Sequence, residues 1–302
     1  MQTRNIRADL ILLLVAVIWG FGFVAQRLGM DQLGPFGFNG SRFLLGALSL
    51  LPLLLFFKAK PGQADTGKLL RGGILAGLLL FVGASLQQVG LLYTTAGNAG
   101  FITGLYIILV PMIALLWGQK TGLNTWSGAL LAVAGLYLLS VNEDFSMNKG
   151  DVLELIGAVF WAGHVLLIGK LSPQMDSLRL SIVQFVVCAV LCLLTAAIWE
   201  ADTLSVANIA TSWQPIVYAG VFSVGIAYTL QVVAQKDAPA SHAAIILSLE
   251  AAFAALGGWW LLDEHLDGRA LTGCALMLAG MLLSQLPVFG RTKSTTEAVS
   301  QT

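Results

Sequence analysis

Glu250 stands inside a long apolar stretch, ASHAAIILSLEAAFAALGGWWLL, from Ala240 to Leu262. A membrane span needs roughly 20 apolar residues for about 30 Å of hydrocarbon. Glu250 lies about eleven residues in, roughly 16 Å deep at ~1.5 Å per residue. Inserting a charge there costs on the order of 3 kcal/mol, so such residues are kept mainly where they face a cavity or a partner. Glu250 is therefore a proton-coupling or substrate-amine site, or a hydrogen-bonded glutamate that fastens neighbouring spans. Arg42 lies about six residues into another apolar run. Its guanidinium either snorkels to the surface or turns inward to hold an anionic group such as a carboxylate, which its planar fork of donors fits.

Trp19 and Trp161 sit near the middle of their runs, although tryptophan concentrates at membrane interfaces. Facing each other, they would clamp an aromatic or aliphatic molecule; packing alone would require only a partner for each indole N–H. His164, one turn beyond Trp161, is a proton relay or a satisfied packing residue. Gln87, Asn98, Tyr106, Tyr228 and Gln231, with Gln88, Thr103, Gln235, His242 and Ser248, add neutral polar groups to the apolar runs. Such groups line a cavity or bond across helices, at about 0.6 kcal/mol each.

These residues are organised by an internal repeat. The stretch AGNAGFITGLYIILVPMIALLWG from Ala96 to Gly118 has a weaker copy 144 residues later, where Ala240, Ala243, Ile246 and Leu249 answer Ala96, Ala99, Ile102 and Leu105. Upstream, Leu86, Gln87 and Val89 meet Leu230, Gln231 and Val233. At an offset of 142, Leu13, Ala16, Val17, Trp19 and Phe43 meet Leu155, Ala158, Val159, Trp161 and Phe185. At 145, Gly128, Ala134 and Gly135 meet Gly273, Ala279 and Gly280. The chain is two related halves, residues 1–145 and 146–290, with a disordered tail over 291–302. Trp19 and Trp161 are mates, and so are Tyr106 and Glu250. The swap of tyrosine for glutamate breaks the symmetry at the depth where an oriented polar molecule would need it broken.

With 57% apolar and 11% charged residues and a mean hydropathy of +0.82, the chain is a polytopic membrane protein rather than a soluble one. Ten segments qualify as spans: approximately 9–28, 36–57, 71–92, 97–118, 125–141, 152–170, 177–199, 213–234, 239–261 and 269–287. Arg4 and Arg7 precede the first as in a cleavable leader, but Trp19, Gln26 and Arg27 follow instead of a small-residue cleavage site, so the run is expected to stay as a span. A cytoplasmic N-terminus puts twelve of the 16 basic residues inside, as the excess of Lys and Arg in cytoplasmic loops demands. Both termini are then cytoplasmic. Five spans per half is odd, so the second half enters the membrane inverted, an architecture of secondary transporters with the substrate site between the halves. The fold expected is all-α, ten transmembrane helices in two inverted five-helix repeats.

Other chemistries lack their residues. Cys188, Cys192 and Cys274 have neither metal-ligand nor disulfide spacing and read as packing residues. No cofactor or metal is implied, and no catalytic triad can be built from three histidines without an activated nucleophile. GQADTGK, from Gly62 to Lys68, has phosphate-loop spacing, but Leu69 replaces the magnesium-binding hydroxyl and no strand precedes it. The net charge of zero argues against nucleic acid. The small-xxx-small pairs Gly73/Gly77 and Gly100/Gly104 let helices approach closely and leave a homodimer open. Spans five and ten, with their matched glycines, read as a tightly packed scaffold.

Trp19-Gly20 in span one, Ser41-Arg42-Phe43 in span two, AGNAGFITGLYIILVP, LSLEAAFAAL and DEHLDGRALTGCALMLAGMLL, in this order and on these spans, resemble the EamA family of the drug/metabolite transporter superfamily. The resemblance covers nearly the whole chain. It implies a multi-pass carrier of the bacterial inner membrane, often an exporter of amino acids or other small metabolites, whose partners are a small-molecule substrate and the lipid bilayer. Uptake, exchange and a non-transporting membrane scaffold are the alternatives. One departure concerns span nine, which has Ala255 where span four has Pro111, and Ala251 where the family often carries a proline. A proline-made kink in span nine therefore lacks its residue.

Overall fold

The computed structural model describes residues 6–57, 65–94, 96–116, 118, 121–140, 148–261 and 267–285. Among them the chain is helical, with no strand. The main helices are α1 (Ile6–Gly29), α2 (Pro35–Leu50, continued after Pro52 by a turn at Leu53–Phe56), α3 (Thr66–Gly90) and α4 (Ala96–Gly104 and Tyr106–Leu116). They continue as α5 (Leu123–Ser140), α6 (Lys149–Leu171), α7 (Ser177–Trp199), α8 (Trp213–Ala234), α9 (Ala240–Leu247 and Glu250–Leu261) and α10 (Gly268–Gln285). Eight are long and apolar enough to cross a membrane, and α5 and α10 are shorter apolar helices. The tail over 291–302 lies outside the described residues, as does the side chain of Asn98 on α4.

Side-chain caps start many of these helices. Asp65 accepts from the Lys68 backbone N–H before α3, Asp176 caps α7 in the same way, and Asn148 and Asp151 form a reciprocal capping box on α6. Each satisfies N–H groups that a helix start leaves bare. The end of the phosphate-loop-like GQADTGK is thus a helix cap.

The burial pattern is that of a protein dissolved in lipid. Leu10, Leu14, Leu48, Leu75, Leu194 and Trp260 face outward, while small residues fill the contacts between helices. Between helices in lipid, close packing replaces hydrophobic burial as the source of attraction, which favours Gly and Ala at the crossings. Gly73 and Gly77 of α3 receive Val183 and Val187 of α7, so this small-residue pair is used inside the chain. The most extensive pairing is α5 with α10. There a Cβ on Gly128 would stand 2.6 Å from the Gly280 carbonyl oxygen, and one on Gly135 would stand 2.5 Å from that of Gly273. Gly128 matches Gly273 in the repeat and Gly135 matches Gly280, so each contact is the other's image with the helices running in opposite directions.

Two ends of the bundle are defined by polar contacts. At one, His242 near the start of α9 bonds Asp9 near the start of α1 at 2.9 Å, and Ser284 near the end of α10 lies 3.4 Å from the other ring nitrogen. At the opposite end, Arg27 at the finish of α1 donates to the Leu91 carbonyl after α3, and Thr94 bonds Asp151 at the start of α6. Thus α6 begins where its mate α1 ends. At this second end Glu200, just past α7, accepts from the backbone N–H groups of Phe36 (3.1 Å) and Gly37 (2.8 Å). It caps α2 from the other half of the chain. Gly34 has no Cβ because a Cβ would overlap the Glu200 carboxyl, 2.2 Å from its carbon. Glu200→Ala is expected to cost about 1 kcal/mol, the usual worth of an N-cap, and to lower the unfolding temperature in detergent by roughly 2–4 °C.

The helices of the two halves interleave. α1 packs on α8 and α9, α2 on α7 and α8, α3 on α6 and α7, and α4 on α6 and α9. Any space left at the centre is walled by both halves.

Candidate substrate cavity

Two helices break at matched places. In α4, Leu105 donates to the Ile102 carbonyl and Ile108 to that of Leu105 (3.1 and 3.0 Å); in α9, Leu249 donates to Ile246 and Ala251 to Ser248 (both 3.2 Å). These i to i+3 bonds tighten the helix for about a turn, a feature often found at functional hinges. Span nine is therefore broken without a proline, at the position matching the break of span four. Span nine has no proline to make a kink, and the tightened turn does not need a missing N–H. The breaks place Tyr106 and Glu250 as first residues of the second segments, and the Tyr106 hydroxyl donates to Glu250 Oε1 at 3.1 Å. Repeat mates thus touch each other at the centre.

Around this pair lies a cavity of about 510 Å³ including its mouth, lined also by Trp19, Gln26, Arg42, Gln87, Thr103, Trp161, His164, Ser223, Tyr228 and Gln231. Ten of the residues singled out from sequence line it, Thr103 among them, whereas Gln88, Gln235, His242 and Ser248 do not. Asn98 has no described side chain.

Arg42 is 3% exposed, so it does not snorkel. Its Nε donates to Asn39 Oδ1 at 2.8 Å, Asn39 is held by the Ala84 carbonyl, and the guanidinium lies over the Phe38 and Phe43 rings at 5.7 and 5.1 Å. These partners hold the group away from the surface by stacking and by one hydrogen bond from Nε. No ion pair joins Arg42 to Glu250 among the described residues. The cavity therefore holds a cation and a carboxyl that have not neutralised each other.

The two tryptophans do not face each other. Both pack on Tyr228, Trp19 at 4.5 Å between centroids and Trp161 stacked at 6.3 Å with 22° between planes. His164, Phe43 and Phe185 complete the ring of aromatics around that tyrosine. The clamp read from symmetry is thus a cluster with Tyr228 between its two tryptophans. Tyr228 closes an unusual stretch of α8, Tyr218–Tyr228, in which the helix widens to a π form. The Ser223 carbonyl in this stretch accepts the Trp19 indole N–H at 3.1 Å.

The amides form a second polar group. Gln26 accepts from Gln87 at 3.0 Å, and Gln87 accepts the Trp161 N–H at 3.1 Å. Gln231, the repeat mate of Gln87, is 1% exposed, and neither its amide oxygen nor its nitrogen has a partner. An unbonded buried amide costs about 1–3 kcal/mol, and this one lines the cavity. His164, which lines the cavity, bonds Gln184 Oε1 through Nε2 at 2.9 Å. Gln26 and Ser223 were not among the residues chosen from sequence. A glutamine between Trp19 and Arg27 was the available signal for the first; nothing marks a serine whose backbone carbonyl is what holds Trp19.

The model of the EamA-like transporter family matches residues 6–141 and again 148–286. The chain belongs to this family. An uncharacterized transporter of Archaeoglobus fulgidus is 33% identical over 94% of this chain and 88% of its own length. The uncharacterized transporter YoaV of Bacillus subtilis is 24% identical over 92% and 96%. A transporter of S-adenosylmethionine and S-adenosylhomocysteine from Chlamydia muridarum is 24% identical over 91% of both chains. A solved crystal structure superposes with a TM-score of 0.75, covering 93% of this chain and 97% of that one at 19% identity, a likeness of fold. The chain is thus a multi-pass membrane protein of a transporter family, with a bilayer around it and a small molecule as its cargo.

Proposed function

We propose that this protein is a secondary carrier for a small zwitterionic metabolite, an amino acid or a compound built on one, moved by alternating access. The observation that carries the reading is the unpaired couple of Arg42 and Glu250 in one cavity, with Glu250 bonded to its own repeat mate. A substrate carboxylate fits the fork of Arg42, its ammonium group fits Glu250, and its body lies against Trp19, Trp161 and Tyr228. Being bound at both charges, it replaces solvent for two groups that are costly to leave bare. A polar, two-charged cavity is also what a membrane scaffold would not need.

Ten spans in two inverted halves provide the motion. The crossed glycine contacts of α5 and α10 and the opposite directions of α1 and α6 support that arrangement, in which exchanging the halves' conformations moves the opening from one face to the other. The positive-inside rule places the Asp9–His242 end in the cytoplasm and the Glu200 end outside. Export is the direction proposed, with a proton taking the place of the substrate ammonium on Glu250 during the return. The relative from Chlamydia supports the substrate class, since S-adenosylmethionine carries an ammonium and a carboxylate on one carbon.

The test is counterflow in proteoliposomes preloaded with phenylalanine, methionine, threonine or S-adenosylmethionine, repeated with an imposed pH gradient. Saturable exchange of at least one zwitterion, with decarboxylated and esterified analogues excluded and Arg42→Gln inactive, is the expected outcome. Exchange of neutral compounds alone, or an active Arg42→Gln, refutes the zwitterion reading.

A further inference from the structure

A second glutamate is buried away from the substrate. Glu154, on α6, is 0% exposed and was not singled out in the sequence. Its Oε2 accepts from the Thr103 hydroxyl of α4 at 3.0 Å, while Oε1 is enclosed without a partner. Gly90 at the end of α3 forms the wall, where a Cβ would lie 2.8 Å from Oε1. No Lys, Arg or His pairs with it among the described residues.

The other groups facing this carboxyl do not supply a counter-charge. On α6 itself Asp151 lies one turn earlier, bonded to Thr94 and to the Asn148 backbone N–H, and Lys149 stands exposed at the helix start. Among the described side chains that the two neighbouring helices bring to this spot, Gly90 of α3 and Thr103 of α4 are not ionisable. α9 packs farther along α6, and its Glu250 is engaged by Tyr106. An anion with one hydrogen bond and no counter-charge in such a place is strongly disfavoured. Held as the acid, the same carboxyl has no charge to desolvate, and the cost left is one oxygen, Oε1, without a hydrogen-bond partner, about 1–3 kcal/mol.

The repeat shows that this is not a demand of the fold. The mates of Glu154 and Thr103 are Leu12 and Leu247, both buried in one apolar cluster where α1 meets α9. The contact between the halves is thus apolar near the Asp9–His242 end and rests on a carboxyl at the other. Thr103 separates Glu154 from the cavity, which Thr103 also lines.

We infer that Glu154 is a second proton-binding site of this protein, distinct from the substrate cavity, which exchanges its proton with the solvent only when the contact between α4 and α6 opens. The inference rests on the alternating-access reading above, in which that contact must part to open the second end. On opening, Glu154 meets water and releases a proton; reclosing requires the proton back, since the anion cannot re-enter the dry contact. One proton binds and one is released per cycle of this gate. High pH at the second end therefore delays closure, whereas Glu250 sets how far substrate accumulates.

Infrared difference spectroscopy of the full chain in lipid nanodiscs at neutral pH tests the site without any transported compound. The wild type minus Glu154→Gln spectrum is expected to contain the band of a protonated carboxyl, shifted in heavy water; Glu154→Asp retains such a band if the glutamine variant misfolds. Loss of carboxylate bands alone overturns the inference. In proteoliposomes exchanging methionine or S-adenosylmethionine, raising the pH at the Glu200 side should slow wild-type exchange by up to about tenfold per pH unit, the limit for one proton. In Glu154→Gln that dependence should vanish, with the accumulation ratio under a pH gradient unchanged. A glutamine variant that keeps the wild-type pH profile overturns the inference. Absence of wild-type flux counts instead against the carrier reading, and the spectrum still decides whether Glu154 holds a proton.

Discussion

Glu250→Gln is expected to reduce substrate exchange by a factor between tens and thousands while the protein still folds. The side chain is buried and bonded to Tyr106 Oη, and glutamine keeps its shape and can still accept that bond. What it lacks is the negative charge facing the substrate ammonium. Removing one member of a buried, hydrogen-bonded charge pair costs about 2–5 kcal/mol, and each ~1.4 kcal/mol is tenfold in binding. The proton dependence of accumulation should disappear with it, because a glutamine cannot alternate between ammonium and proton. Tyr106→Phe removes a single hydrogen bond to the carboxyl, worth about 1.5–3 kcal/mol, and should leave coupling intact while weakening exchange by roughly tenfold or more. The measurement is counterflow with and without a pH gradient, beside a melting curve for each variant. If Glu250→Gln exchanges and accumulates substrate like the wild type, Glu250 is only a fastener between α4 and α9.

The second large effect is structural. Gly135→Leu should abolish accumulation of folded protein in the membrane, and even Gly135→Ala should be strongly destabilised. The Cβ would stand 2.5 Å from the Gly273 carbonyl oxygen and 2.8 Å from the Met277 backbone nitrogen. These are backbone atoms, so no side-chain rotation relieves the contact and the helices themselves must move apart. Overpacking of this kind costs typically 1–3 kcal/mol and more when the neighbours cannot shift. Gly163→Ala is the control, since the atoms nearest its Cβ are the far ends of Leu79 at 3.8 and 3.9 Å. Size-exclusion profiles and melting temperatures in detergent separate the two: a Gly135→Ala protein as stable as Gly163→Ala would show that α5 and α10 are not held backbone to backbone.

The residues that give this chain its character could be read because each violates the solvent it sits in. A glutamate, an arginine and central tryptophans are conspicuous in apolar runs, and all four came together in the cavity. Glu154 escaped notice for a physical reason. It lies five residues from a helix start rich in polar groups, Asn148, Lys149 and Asp151, where a glutamate is ordinarily a solvated end. Only the packing of Gly90 and Thr103 against it makes it buried. Gln231 was visible as a polar residue, but not as an amide lacking partners, since that depends on what its neighbours leave unsatisfied.

Composition, length of the apolar runs and the internal repeat determined by themselves that the chain is a helical membrane protein of two related halves. Those properties follow from transfer of whole segments into hydrocarbon and from periodicity along one chain, and need no knowledge of contacts. The tertiary structure alone decided that Arg42 turns inward beneath two phenylalanines, that Tyr228 stands between the two tryptophans, and that α9 breaks without a proline. It also decided that Tyr106 meets Glu250, 144 residues apart. Each of these depends on which side chain a neighbouring helix presents at a given depth, and that is set by the crossing of glycine-lined helices distant in sequence.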